Sequence, residues 1–186
     1  MRTFVWLLTA LLTASIGAGA LIVFGGFFDV AATSPHWPIT SHILETIRVS
    51  SIRHHAETIV PPSDLDRQAR VIGGTAHFAT HCASCHSAPG VVSESMANGM
   101  YPKPPALTDA AKHYSPSELF WIVKNGIKMT GMPSWADHGD EKLWNIVAFL
   151  EQLPDMDAQT YQILISQAAE SSDHHMHEHG MHMPMP

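Results

Sequence analysis

Only two cysteines occur among the 186 residues, and both fall within one five-residue stretch, so no disulfide framework holds this chain together. Basic residues are also few. Ten Lys and Arg stand against seventeen Asp and Glu, a formal charge of −7, which excludes the basic surface that nucleic-acid phosphates require. Strand signals are missing: no segment alternates apolar and polar residues convincingly, so the chain is expected to be all-α. No general acid–base pair and no nucleophile arrangement stands out, which argues against an enzyme. Charge is wholly absent from Thr3 to Phe28.

That uncharged run, FVWLLTALLTASIGAGALIVFGGFF, is long enough as a helix to cross a hydrocarbon core of about 30 Å. Residues 1–28 are therefore expected to form a transmembrane anchor. A cleaved signal peptide, cut near Ala20 or Ala32, is the competing reading. The small cluster Gly17-Ala18-Gly19-Ala20 suits a cleavage site, but apolar sequence continues beyond it to Phe28. Arg2 and the amino terminus favour an inside N-terminus, with the rest of the chain outside.

Residues 29–62 read as a connector. Pro35 and Pro38 break it early, and Ser41 can cap a short helix carrying Ile43, Leu44, Ile47 and Ile52 on one side. Arg48, Arg53, His54 and His55 follow. Such a helix either packs on the neighbouring domain or a partner subunit, which is preferred, or lies among lipid headgroups. Residues 63–155 then run helix, loop, helix, loop, helix. The first spans from Ser63-Asp64-Leu65-Asp66 to about His81. The second starts at Ser115-Pro116-Ser117-Glu118 and stops at Asn125-Gly126, and the third opens at Asp140-Glu141 and ends by Pro154. Loops this long leave such a small domain short of core, which a buried cofactor would supply. A short helix follows within residues 156–172, and residues 173–186 form a His/Met-rich tail expected to be disordered.

The chemistry centres on Cys82-Ala83-Ser84-Cys85-His86. C-x-x-C-H is the attachment signature of c-type haem: two thiols form thioethers with the porphyrin vinyl groups, and the adjoining histidine is aimed at the iron. A thioredoxin-like pair would need a βαβ setting, which is absent. A structural zinc site would need a second ligand pair. For the sixth iron ligand, the stretch Gly126-Ile127-Lys128-Met129-Thr130-Gly131-Met132-Pro133 offers Met132, since Pro133 holds the preceding residue extended. Met129, His113, His138 or an open site are the alternatives. Tyr101, Lys103, Trp121 and Trp135 are candidates for haem propionates, or are simply pocket wall or surface.

Gly74 and Phe78 at four-residue steps before Cys82, the C-x-x-C-H motif, Met132-Pro133, and a closing helix with Leu143, Trp144, Val147 and Phe149 appear in that order. In this, residues from about Asp66 to Leu153 resemble a class I cytochrome c domain, similar to those in subunits of haem–copper oxidases. The resemblance implies the cytochrome c fold, three to five helices around one covalent haem, with Gly74 letting the first and last helices cross closely and Phe78 packing near Trp144 or Phe149. Many members hold the ligating histidine with a proline carbonyl at a position occupied here by Asn98. Pro104-Pro105-Ala106-Leu107 is the substitute expected from its place in the loop.

The function these residues imply is one-electron transfer, with Cys82 and Cys85 holding haem c and His86 and Met132 as axial ligands. Redox proteins would be the partners: a dehydrogenase or cytochrome bc-type donor and a terminal oxidase acceptor. Because thioethers are made outside the cytoplasm, the haem domain is expected in the periplasm, tethered to the inner membrane by a single span. A second reading is a copper-handling or redox-sensing protein. It rests on the tail, where His174, His175, His177, His179 and His182 alternate with Met176, Met181, Met183 and Met185, a mixture of imidazole and thioether suited to copper.

Overall fold

The computed structural model describes residues 1–179, with side chains through Ser171. Two units compose it, Met1–Pro35 and His36–Pro186. In the first, the uncharged run forms α1 (Arg2–Phe24), whose side chains are all exposed. Among the described residues it is the one helix long and apolar enough to cross a membrane. Three of its polar side chains are satisfied within the helix: Thr9, Thr13 and Ser15 donate to the carbonyls of Val5, Thr9 and Leu11 at 2.7–2.9 Å.

The second unit is all-helical. Its frame is α3 (Gln68–His81) crossed by α8 (Asp140–Gln152), with α7 (Pro116–Asn125) packed on α8. The crossing depends on Gly74. A Cβ there would stand 1.9 Å from the Asn145 carbonyl oxygen, backbone against backbone, so only glycine permits this approach. Val71, Thr75 and Phe78 fill the seam from α3, and Leu143, Ile146, Val147, Phe149 and Leu150 fill it from α8. Phe78 packs on Phe149 with rings tilted at 42° and centroids 4.8 Å apart, as expected; Trp144 instead stacks on Phe120 of α7 at 4.1 Å. At the edge of the crossing, Arg70 bonds Asp64 at 3.0 Å and both Glu141 and Asn145 at 2.9 and 3.1 Å.

Local signals set the helix ends. Ser115 makes a full capping box with Glu118, and Pro116 occupies the first turn of α7. Gly126 ends α7 at φ +66°, and Pro154 ends α8 in a 3₁₀ turn, Leu153–Asp155. Between the long helices lie single turns: α4 (Ala83–His86), α5 (Ser95–Asn98) and α6 (Leu107–Ala110).

Two boundaries differ from the sequence expectation. Pro38 does not break the connector but begins its helix, α2 (Pro38–Ala56), because proline is preorganised for the first helical position. Arg48, Ile52 and Ala56, at four-residue steps, face the domain, and α2 packs on α7. Ile52 is therefore 1% exposed, parted from Ile43, Leu44 and Ile47, which stay at the surface. The last helix, α9 (Ala158–His179), is longer than expected and belongs to the core. Tyr161, Leu164 and Ala168 are buried, with the Tyr161 ring 6.1 Å from Phe149 and 6.4 Å from Phe78.

Candidate haem site

The C-x-x-C-H motif sits where α3 ends and the chain turns through α4. Backbone N–H groups of Cys85 and His86 both donate to the Cys82 carbonyl. Ser87 at φ 63° then terminates the turn. Cys82, Cys85 and His86 thereby line one cavity. Both thiols are free and partly buried. Burial, with a smaller push from Cys85, raises the Cys82 thiol to about 12. A thiol held so firmly protonated is a poor thiolate nucleophile.

His86 has a fixed tautomer. Its Nδ1 lies 2.8 Å from the Pro105 carbonyl oxygen, and a carbonyl only accepts, so Nδ1 carries the proton and Nε2 the lone pair. The carbonyl comes from the Pro104-Pro105-Ala106-Leu107 segment, as its position in the loop suggested. Burial pushes the His86 pKa down, against a smaller upward pull from the Pro105 bond. The ring is thus held neutral, the form that binds metals.

Met132 lines the same cavity. Its loop is pinned to the end of α7. Ser134 Oγ and the Trp135 N–H both donate to the Lys124 carbonyl, at 2.7 and 3.2 Å, and the Ile127 N–H donates to the Met132 carbonyl at 3.3 Å. Gly126 is needed here as well, because a Cβ on it would meet Pro133 backbone at 2.6 Å. Met129 goes elsewhere: it occupies a left-handed turn at φ 61° and is 85% exposed. His113 does not reach the cavity, and His138 Nδ1 pairs with His77 Nε2 at 2.8 Å. One methionine escaped sequence reasoning. Met100 also lines the cavity, beside Gly131, but no motif marks it.

Apolar side chains make most of the wall: Phe78 from α3, Leu119, Ile122 and Val123 from α7, Ile146 and Leu150 from α8. Of the four propionate candidates, Lys103 and Trp135 line it and two do not. Trp121 lies flat on His55 of α2, 5.4 Å away and 3° from parallel. Tyr101 accepts a hydrogen bond from the His36 N–H at 2.9 Å. Both were drawn off by the connector, whose packing no local pattern revealed.

Residues 69–150 match the family model described as cytochrome c oxidase, cbb3-type, subunit III. This segment is a cytochrome c domain. None of the curated proteins compared matches the chain. A cytochrome c domain transfers electrons through haem, and the cavity fits that group on its own evidence. It is apolar, the two motif thiols open into it, and Arg48 brings a buried Nε with no hydrogen-bond partner to its edge.

Among the described residues no group of three or more His, Cys, Asp or Glu side chains is disposed to hold a metal ion. The side chains of the tail read as a copper site lie outside the described residues. Met181, His182, Met183 and Met185 fall outside the described residues, and His174, Met176 and their neighbours through His179 are described only as backbone of α9.

Proposed function

We propose that this chain is a membrane-tethered one-electron carrier, with haem c attached at Cys82 and Cys85 and ligated by His86 and Met132. The observation that carries the reading is the His86–Pro105 bond of 2.8 Å. It leaves the Nε2 lone pair free to act as a ligand within a cavity that Met132 also lines. When bound, haem supplies a ferric–ferrous couple, and a thioether opposite an imidazole raises its potential relative to a second imidazole. The protein's own part is to hold both ligands on pinned turns and to exclude water with Phe78, Leu119, Val123, Ile146 and Leu150. His86 and Met132 would together hold the iron and leave no position open to substrate, which is why a carrier is favoured over an enzyme.

The reading extends to setting. α1 acts as an uncleaved anchor, leaving the haem domain in the periplasm against the inner membrane. Tethering keeps the domain at high effective concentration beside membrane-bound partners: a dehydrogenase or cytochrome bc-type donor, and a terminal oxidase acceptor.

The test is an absorption spectrum of protein made in cells with c-type maturation machinery. A low-spin reduced spectrum is expected, with the weak ferric methionine–iron band lost in Met132→Ala and kept in Met129→Ala and Met100→Ala. A high-spin spectrum, or a band that survives Met132→Ala and disappears in Met100→Ala, overturns the ligand assignment. Absence of haem overturns the reading as a whole.

A further inference from the structure

α2 lies outside the matched residues 69–150, so the family domain does not account for it. It is nevertheless held at the cavity. His55 stacks on Trp121, and Ser117 donates to the Ile59 carbonyl just beyond the helix at 2.8 Å. Arg48 and Ile52 thereby become cavity wall.

Arg48 is disposed unusually. Its Nη2 is taken by Glu45 at 2.5 Å, which fixes the guanidinium plane. Its Nε is buried and has no hydrogen-bond partner. The side chain as a whole is 37% exposed and paired with Glu45, but a buried N–H left without a partner costs free energy, so an acceptor belongs at that point. The cavity supplies none. Its charged lining side chains are Arg48 and Lys103, with no Asp or Glu among them, in a chain whose formal charge is −7. An anionic oxygen ligand is what this edge accepts, and guanidinium suits a carboxylate.

We propose that Arg48 is a positioning residue for a haem propionate, which makes α2 part of the cofactor site rather than a spacer between anchor and domain. The inference rests on the haem reading above. Its electrostatic consequence has a definite sign. A cation beside the haem favours the reduced state, which carries one negative charge more than the oxidised state, so Arg48 raises the potential.

Optical redox titration of the full-length haem protein in detergent tests this, using Arg48→Gln, Arg48→Lys and, as a control on the same helix, Arg53→Gln. Arg48→Gln is expected to keep the wild-type low-spin spectrum while its reduction equilibrium constant falls roughly three- to tenfold, the scale of one unit charge at an effective dielectric of about 20. Arg48→Lys should recover part of the loss, and Arg53→Gln should titrate like wild type. An Arg48→Gln potential equal to that of wild type, or an equal fall in Arg53→Gln, overturns the proposal. If Arg48→Gln loads no haem, the propionate bending mode in the resonance Raman spectrum of Arg48→Lys decides: a shift supports the contact, and an unchanged mode overturns it. Wild-type protein without haem would instead defeat the underlying reading, a distinguishable result.

Discussion

Adjacent glycines in α3 should respond very differently to the same methyl group. At Gly74 a Cβ falls 1.9 Å from the Asn145 carbonyl oxygen, 2.6 Å from its carbon and 2.9 Å from Phe149 Cβ. No rotamer change relieves a clash with backbone, so α8 must retreat from 1.9 Å to at least 3.0 Å. That shift loosens the Phe78–Phe149 pair, now at 4.8 Å, and the interlocked row behind it. Overpacking costs about 1–3 kcal/mol or more, and this contact belongs at the upper end. Alanine's better helix preference returns about 1 kcal/mol. The net expectation for Gly74→Ala is a loss of about 2 kcal/mol. At roughly 3–4 °C per kcal/mol for a domain of this size, Tm falls by roughly 6–8 °C. At Gly73 the nearest atom is the Asn145 side-chain nitrogen at 3.1 Å, which can yield. Gly73→Ala should stay within about 1 kcal/mol of wild type, as helix preference offsets a small side-chain shift. Thermal unfolding of the haem-loaded protein in detergent, followed by far-ultraviolet circular dichroism, measures both. Equal stability of Gly74→Ala and wild type, or an equal loss in Gly73→Ala, would refute the close-crossing argument.

Two further outcomes follow from individual side chains. Burial, aided by the positive charges that His81, His138 and Lys142 can carry, lowers the His77 pKa from 6.5 to about 4. Between those values the unfolded chain binds a proton that folded His77 refuses, so stability falls as pH drops through 6.5 and levels off below about 4. Urea midpoints at pH 7.5, 5.5 and 4 should therefore converge partly in His77→Gln, and an unchanged pH slope in that variant would exclude His77 as the source. Removing the Ser115 cap (Ser115→Ala) should cost about 1 kcal/mol, read from the same urea midpoints; no loss would mean the 3.4 Å bond from the Glu118 N–H contributes little.

The C-x-x-C-H motif, the all-helical class and the crossing glycine were legible along the chain because each is a local pattern. Cys82, Cys85 and His86 are contiguous, Gly74 and Phe78 share a helical face with Cys82, and Ser115 to Glu118 spell a cap. The span of α1 was legible for the same reason, since length and the absence of charge suffice. Tertiary packing decided the rest. Ser134 and Trp135 bond Lys124, and this turn directs Met132 into the cavity while Met129 faces solvent, although the two methionines stand three residues apart. Arg48 and Ile52 read as one stretch of an amphipathic connector, yet docking on α7 turned both inward and left Ile43 and Ile47 outside. Tyr161 joined the core through α3, far from it in sequence. Short-range steric and hydrogen-bond preferences are written residue by residue, whereas the face a helix buries depends on the surface it meets. Here that surface is assembled from α3, α7 and α8 only once Gly74 lets them close.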